Sequence, residues 1–253
     1  MKVSEVITLI DRYFPLSRAL PWDNSGLQIG SWEKVVSRVL VCLDIDREVA
    51  KEASSFKADL IITHHPLFMK NVKCICPENN LGWIAAYLIK KNMALASFHT
   101  NVDVASGGLA DYVGSLLGLS EMKPLTEEGL GRVGHLIQPT SVKAFVKKVK
   151  EALHIDQPVK VTAAGKKIST VAICPGSGGD LIDEAIRSGA HCFVTGDIKY
   201  HQAFNSKGLI TLIDAGHYHT ELPFCSLIAS ILERETGLEV KISERQKNPF
   251  QCM

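Results

Sequence analysis

The segment 59–66 carries a short apolar run that ends in two adjacent histidines and a proline. We interpret it as a buried strand that delivers His64 and His65 at its carboxyl end. Three further segments, 97–103, 196–201 and 214–221, also place histidines and carboxylates directly after an apolar, β-branched run. In an open α/β sheet, side chains at the carboxyl ends of strands converge on one crevice, where ligands bind. Imidazoles and carboxylates gathered there are the groups that a hydrolytic two-metal site needs.

Apolar runs of strand length alternate with helical patterns along the chain, which predicts an α/β fold with two lobes. The polar stretch 121–131 is expected to separate an N-terminal lobe, residues 1–125, from a C-terminal lobe, residues 126–253. The expected strands are 39–43, 60–63, 94–98, 132–138, 159–163, 170–174, 192–195 and 209–213. The expected helices are 47–56, 81–91, 108–117, 141–153, 181–187, one from about residue 201, and a long one ending near residue 237.

The two halves of the chain resemble each other, which favours an internal duplication. Residues 39–65 align without gaps with residues 171–197, and six of the 27 aligned positions are identical. His64 and His65 then correspond to Gly196 and Asp197, which also follow a predicted strand. Because the candidate ligands come from both halves, we expect the metal site to lie between the lobes.

Composition and charge argue against several classes of partner. The chain of 253 residues has a formal net charge of +1, so it lacks the basic character of a nucleic-acid-binding or membrane-surface protein. The first 15 residues lack the basic end and apolar centre of a signal peptide, and no apolar run is long enough to cross a membrane. The seven cysteines form no disulfide framework and suit a reducing compartment. We therefore expect a cytoplasmic protein with neither a nucleic-acid nor a membrane partner.

Two adjacent residues on a regular strand point to opposite faces, so His64 and His65 could not both join one cluster in the middle of a strand. Pro66 ends the strand and allows the two imidazoles to serve two neighbouring cations. The alternative is that one histidine is a hydrogen-bonded residue at the strand end and the other is solvated. We prefer the metal interpretation because similar clusters accompany this one.

The other clusters also have alternative interpretations. His99 and Asp103 offer an imidazole and a hard carboxylate, but Asp103 could instead cap a helix or turn before Gly107. His217 and Glu221 would share a face of a helix, with His219 turned away. Pro223 instead favours a helix that begins near residue 220, with His217 on the preceding loop and Glu221 in the first turn. Both residues would still lie at the junction of strand and helix and could converge. The alternative for Glu221 is that it caps the helix and stabilises its dipole.

Three remaining motifs carry weaker signals. The glycine-rich run 174–179 is expected to be a tight structural turn, with a phosphate contact as the less favoured alternative. Cys74 and Cys76 form a single Cys-x-Cys motif without a second pair, which favours a plain loop over a metal knuckle. The segment 21–27 is expected to be a structured turn.

Taken together in their order, the motifs resemble the GTP cyclohydrolase type 2 homologue family, also called the Nif-three-like proteins. The resemblance covers nearly the whole chain, and several motifs in order are far more specific than any single one. They are Trp22–Leu27, Thr63–Pro66, His99–Asp103, Gly176–Gly178, Gly196–His201 and Gly216–Glu221.

The resemblance implies two divalent metal ions per subunit and a toroidal homohexamer. It implies that His64 and Asp103 hold one ion, that His65 and His217 hold the other, and that Glu221 bridges both. A site of imidazoles and carboxylates suits zinc, iron, manganese or nickel. His99 and His201 are implied to support the ligands or to face the substrate, and we take them as the candidate catalytic residues.

These expectations lead to a preferred function, metal-assisted hydrolysis of a small molecule. Five protein ligands for two ions leave coordination positions for water. In a reaction of the GTP cyclohydrolase type, a hydroxide would attack the imidazole carbon of guanine while His99 or His201 moves protons. The alternative is a non-catalytic metal-binding scaffold or regulatory protein whose ions join the lobes. A nucleotide-binding regulator is a third option and would require the turn 176–179 to hold phosphate.

Overall fold

The computed structural model describes residues 1–165 and 167–250, and its residues divide by their contacts into two compact units. The first unit comprises Met1–Ala105 and Phe224–Pro249, and the second comprises Ser106–Pro223 with Phe250. The chain therefore leaves the first unit after Ala105 and returns to it at Phe224. This division differs from the expected one at residues 125/126, because the C-terminal segment packs with the N-terminal part of the chain.

The first unit is built around a five-stranded sheet. Its elements are α1 (Val3–Tyr13), β1 (Gly26–Ile29), β2 (Arg38–Cys42), α2 (Arg47–Phe56), β3 (Leu60–Thr63), α3 (Asn80–Lys90), β4 (Ala94–Ser97) and α4 (Thr100–Val104), joined after the return of the chain by α10 (Pro223–Glu235) and β11 (Glu239–Ile242). The strand order is β1-β4-β3-β2-β11. All neighbouring strands are parallel except β1, which runs antiparallel to β4 at the edge.

The second unit contains a six-stranded mixed sheet. Its elements are α5 (Leu109–Leu116), β5 (Leu119–Pro124), β6 (Arg132–Ser141), α6 (Val142–Ala152), β7 (Lys160–Thr162), β8 (Lys167–Ser177), α7 (Ile182–Arg187), β9 (Cys192–Gly196), α8 (Tyr200–Asn205), β10 (Thr211–Asp214) and α9 (His217–Glu221). The strand order is β5-β6-β8-β9-β10-β7, with β8, β9 and β10 parallel and the remaining pairs antiparallel. Leu16–Arg18 and Gly179–Leu181 are short 3-10 helices.

The central strands of the first unit are buried along their whole length, as their continuous apolar sequences predict. Ile61 lies in β3, is fully buried and belongs to a cluster that includes Leu40 and Leu95 on the neighbouring strands. Truncating such a side chain to alanine costs about 2–5 kcal/mol of stability. Asp46 is the N-cap residue of helix α2, and its carboxylate accepts a hydrogen bond from the backbone N–H of Val49. A rigid sheet therefore underlies the strand ends that carry the histidines.

The strand pairing supports the duplication. In the first unit Val39 of β2 pairs with Leu60 of β3, and in the second Val171 of β8 pairs with Cys192 of β9. The two pairs correspond position by position in the alignment of residues 39–65 with 171–197. In both units a third parallel strand of four residues is followed by a one-turn helix of five residues, α4 or α9.

The chain crosses between the units shortly after each of these one-turn helices. It leaves the first unit after Ala105, next to α4, and leaves the second after Pro223, next to α9. The long helix that follows each copy therefore belongs to the other unit. Asp103 and Glu221 are the two candidate carboxylate ligands. They lie in α4 and α9, two to three residues before the chain passes into the other unit.

The prediction for the segment 217–223 was wrong. His217 is the first residue of α9 rather than part of a loop, and the next helix begins at Pro223, not near residue 220. The proline occupies the first turn of α10, where its missing N–H costs nothing, so it separates two helices without disrupting either. Among residues 1–165 and 167–250, no helix combines the length and the apolar character needed to cross a lipid bilayer.

Candidate metal centre

His64 follows the last residue of β3 and is completely buried. Its Nδ1 atom lies 3.0 Å from the carbonyl oxygen of Phe98. A carbonyl oxygen can only accept, so Nδ1 carries a proton and donates it to this oxygen. The ring also packs against Phe224, with the ring centroids 4.8 Å apart. These contacts fix the orientation of the His64 ring and make Nε2 its potential ligand atom.

His65 and His99 are held in the same manner, but by carboxylates. Nδ1 of His65 lies 2.8 Å from Oδ1 of Asp44, and Nδ1 of His99 lies 3.0 Å from Oδ1 of Asp23. A carboxylate that accepts from one ring nitrogen fixes the orientation of the imidazole and raises the basicity of the other nitrogen. Both histidines therefore direct Nε2 away from their carboxylates.

The three imidazoles of the first unit converge. One ligand atom from each of His64, His65 and His99 lies within 4.8 Å of those of the other two, and this group could hold a metal ion. The structure therefore brings His99 together with the histidine pair expected to bind metal. The role of His99 as a catalytic group rather than a ligand stays a prediction.

Asp103 lies in α4, and its Oδ1 atom is 3.7 Å from Nε2 of His64. That separation is longer than a hydrogen bond. The alternative in which Asp103 caps the next helix is wrong, because Gly108 occupies the N-cap of α5. Asp103 thus lies beside His64 as a candidate carboxylate ligand.

The motif 22–27, expected only to be a structured turn, has a specific task in the first unit. Asp23 has no exposed side-chain surface and accepts hydrogen bonds from His99, Ser25 and the backbone and hydroxyl of Thr100. Burial alone would raise the pKa of Asp23, but these hydrogen bonds outweigh it and hold the pKa well below its usual value. Asp23 therefore stays ionised and fixes the orientation of His99.

The second unit presents a histidine–glutamate pair on one face of α9. Nε2 of His217 lies 2.9 Å from Oε2 of Glu221, four residues later, and Glu221 is only 5% exposed. Nδ1 of His217 lies 2.7 Å from Oδ2 of Asp197. His219 is turned towards the backbone of Leu153, as expected from the helical spacing. The pair thus offers one nitrogen and one oxygen ligand to a cation.

The glycine-rich turn has a structural explanation. A Cβ atom on Gly176 would collide with Oε1 of Glu221, and Gly176 has a positive φ of 72°. The backbone N–H groups of Gly176 and Gly178 donate to the hydroxyl oxygens of Thr220 and Thr195. Because these two amides are already engaged, the structure favours the tight turn over the phosphate contact. The turn makes room for the carboxylate of Glu221.

The residues that orient the histidines were not identified from the sequence as such. Asp44 lies just after β2, Asp197 just after β9, and Asp23 in the loop before β1. The sequence offered one signal for Asp44 and Asp197. Each is a carboxylate that directly follows a strand, and that strand neighbours one that ends before a candidate histidine. His201, in contrast, is exposed in α8, where its ring makes an edge contact with Tyr200 at 5.2 Å. It belongs to neither of the ligand groups described above.

The donor set fits a divalent ion. Each of the four histidines uses Nδ1 for a hydrogen bond to an oxygen, which leaves Nε2 as the potential ligand atom; these histidines are His64, His65, His99 and His217. This arrangement is typical of metal-binding histidines in proteins. With Asp103 and Glu221, the two units supply the nitrogen and oxygen ligands that zinc, iron, manganese and nickel accept.

Comparisons with known proteins agree with the motifs. The chain is 36% identical to the "GTP cyclohydrolase 1 type 2 homolog" of Lactococcus lactis over 257 residues, which covers 99% of both chains. It is also 36% identical to the "GTP cyclohydrolase 1 type 2" of Helicobacter pylori strain 26695, again with 99% of both covered. A hypothetical protein of Staphylococcus aureus has a similar structure, with a TM-score of 0.93, 28% identity, and 100% and 99% of the two chains covered.

The family model for Duf34/NIF3 (NGG1p interacting factor 3) matches residues 1–249. This match includes every candidate ligand and every carboxylate that orients a histidine. The chain belongs to the Duf34/NIF3 family.

Proposed function

We propose that the ligand groups of the two units form one dinuclear metal centre and that the protein is a metal-dependent hydrolase. In this proposal His64 and Asp103 would hold one ion, His65 and His217 would hold the other, and Glu221 would be shared by both. The observation that carries this proposal is the shared orientation of the histidines, each with Nδ1 held by an oxygen and Nε2 directed away from that oxygen.

Chain connectivity supports a joint centre. Glu221 lies three residues before Phe224, whose ring packs against His64. Asp103 lies three residues before Ser106, where the second unit begins. Three residues span at most about 11 Å of extended chain. One candidate ligand of each unit, Asp103 or Glu221, therefore lies within three residues of the point where the chain enters the other unit.

Divalent ions at such a centre would act as Lewis acids and would lower the pKa of a bound water molecule to near neutrality. The residues of the chain contribute orientation and charge. Asp44 and Asp197 hold the imidazoles of His65 and His217 in place, and Glu221 adds negative charge at a nearly dry position. His99 and His201 are proposed to move protons, because an imidazole has one nitrogen that can donate a proton and one that can accept it.

A cleft in the second unit suits a small, planar substrate. It has a volume of about 480 Å³ and is lined by residues of α8, β7 and β10. Tyr200 and Phe204 line it, are 74% and 61% exposed, and stack with their ring centroids 6.0 Å apart. Lys160 and Lys207 line the same cleft together with Asp214, whose Oδ2 atom lies 3.6 Å from Nζ of Lys160. Stacking of a nucleic-acid base on an aromatic side chain contributes about 1–3 kcal/mol to the free energy of binding. The ammonium group of lysine can bind phosphate.

We therefore propose a nucleotide as the substrate class and ring-opening hydrolysis of GTP as the first reaction to test, in keeping with the names of the two relatives. The proposed assembly is a homohexamer, for which analytical ultracentrifugation should give six chain masses. The cytoplasmic location and the absence of nucleic-acid partners stay predictions.

The test combines elemental analysis with a hydrolysis screen that includes GTP. Wild-type protein should retain two ions per chain, and turnover should be lost with a chelator and restored by one of the four candidate metals. Glu221→Gln keeps the shape of the side chain but removes its charge, so it should lower both metal content and turnover. Glu151→Gln, on the exposed face of α6, is the matched control.

Three outcomes decide between the hypotheses. Two ions retained in Glu221→Gln would rule out the bridging role. Tightly bound ions with no chelator-sensitive turnover in the screen would favour the non-catalytic scaffold or regulator. Turnover that survives complete removal of metal would contradict the hydrolase mechanism.

A further inference from the structure

Two of the cysteines differ from the others. Cys74 is exposed and Cys76 is partly exposed, and both lie in the loop between β3 and α3. Burial raises the pKa of Cys42 and Cys192, and it raises that of Cys225 to about 12, so these groups stay protonated and inert. The remaining described cysteine, Cys174, is also buried. Cys252 lies outside the described residues.

The two sulfur atoms are already in contact. The thiol of Cys76 donates a hydrogen bond to the sulfur of Cys74 across 3.5 Å. The backbone N–H of Asn79 donates to the carbonyl oxygen of Cys76, and Gly82 of α3 lies so close to the backbone of Cys76 that no side chain fits there. The backbone at Cys76 is therefore packed against the first turn of α3.

We propose that Cys74 and Cys76 form a modification site, a dithiol that a peroxide converts reversibly into a disulfide within the loop. The thiolate of one cysteine attacks a peroxide oxygen, which breaks the O–O bond, forms a sulfenic acid and, with hydrogen peroxide, releases the other oxygen as water. The second cysteine loses its proton and attacks the sulfenic sulfur, which forms the S–S bond and releases a second water. The two thiols lose two electrons and one hydrogen peroxide gains them.

The hydrogen bond between the thiols sets the order of these steps. The Cys76 thiol donates to the sulfur of Cys74, and this hydrogen bond, together with the charge of a nearby Cys74 thiolate, raises the pKa of Cys76. Cys76 therefore keeps its proton, and Cys74, which is also the more exposed thiol, reacts first with the oxidant. Cys76 then acts as the resolving thiol.

The loop also contacts the segment that holds His99. The amide of Asn24 donates to the carbonyl oxygen of Phe68 across 2.6 Å, and the amide of Gln28 donates to the carbonyl oxygen of Asn24. Asn24, Phe68, Lys70 and Cys74 line one cavity of about 410 Å³. The proposed disulfide would therefore form in a loop that lines this cavity. Asn24, which also lines the cavity, is the neighbour of Asp23 in the sequence.

A tryptic digest isolates the site, because the peptide 74–90 contains Cys74 and Cys76 and no other cysteine. Fully reduced, folded protein is treated with a stoichiometric amount of hydrogen peroxide, quenched, alkylated under denaturing conditions and digested. The peptide 74–90 should lose the mass of two hydrogen atoms, resist alkylation and recover two alkylatable thiols after reduction with dithiothreitol. The peptide 168–187, which contains the buried Cys174, should stay fully alkylatable as the internal control.

Single variants test the assignment of each thiol. Cys74→Ser should slow the reaction with peroxide at this peptide at least tenfold, whereas Cys76→Ser should react but stop at a sulfenic acid, detectable with dimedone. Circular dichroism confirms that both variants are folded. Two free thiols after treatment of the wild type, oxidation of one cysteine alone to a sulfinic acid, or a disulfide to Cys252 or to a second chain would each overturn the proposal.

Discussion

The Cα atom of Gly176 packs so closely against the carboxylate of Glu221 that a methyl group added there would overlap Oε1. This contact links the glycine-rich turn to the candidate metal centre. Replacing Gly176 by alanine should displace Glu221 and weaken metal binding by about 10–100-fold, the usual cost of disturbing the groups that support a ligand. Chelator competition measures the change.

Gly189→Ala is the matched control for this prediction. Gly189 has a positive φ of 77°, close to the 72° of Gly176, but has no atom within 4 Å of the position of an added Cβ. Both variants should lose about 1–2 kcal/mol of stability through the left-handed backbone, and only Gly176→Ala should lose metal affinity. Equal metal affinities in the two variants would show that the turn does not support the centre.

The hydrogen bond between Asp197 and His217 gives a second prediction. Asp197 has a positive φ of 55°, a conformation that asparagine tolerates well, so Asp197→Asn should preserve the backbone. The loss of charge should weaken metal binding about tenfold, because a neutral amide no longer raises the basicity of the imidazole. Asp183→Asn, at an exposed position in α7, is the control. An Asp197→Asn protein with wild-type metal affinity would leave the carboxylate without a role in the site.

Much of the fold could be predicted because the central parallel strands are continuous apolar runs. The bounds of Leu60–Thr63 and Arg47–Phe56 agree with the expectation at both ends. Three strands were not predicted, Gly26–Ile29, Leu119–Pro124 and Glu239–Ile242. Each lies at the edge of a sheet and includes exposed or half-buried positions, so its partner, not its own sequence, determines that it is a strand.

The candidate ligands could be predicted because they follow strands directly, but the groups that orient them could not. Asp23 reaches His99 across 76 positions of sequence, and Asp44 reaches His65 across 21. Only the pairing of β1 with β4, and of β2 with β3, brings these residues together. The residues near each aspartate in the sequence do not predict which strands will pair. An aspartate after a strand could equally well belong to a turn or cap a helix.

Asp23 gives a prediction about acid stability. Its pKa is lowered in the folded protein, so the ionised carboxylate contributes stability that is fully present above its unfolded pKa of about 3.9. This contribution is lost as the pH falls through the folded value. Asp23→Asn should be less stable than the wild type by a constant amount above about pH 5, and the difference should shrink below about pH 4.

Urea unfolding at a series of pH values measures this difference. The metal must be removed from both proteins with a chelator, so that binding does not contribute to stability. Asp183→Asn is again the control for the loss of one carboxylate. A stability difference that stays constant between pH 5 and pH 3 would contradict the lowered pKa of Asp23.

His201 provides the test of proton transfer, because it belongs to neither described ligand group yet lies in α8 beside the cleft residue Tyr200. His201→Ala should keep the metal content of the wild type, since no candidate ligand is removed. If turnover is observed, kcat should fall about 10²–10⁴-fold, the contribution typical of a positioned general acid or base. His154→Ala, at an exposed position after α6, should leave both quantities unchanged. A wild-type rate in His201→Ala would remove this residue from the mechanism and leave His99 as the remaining imidazole for proton transfer.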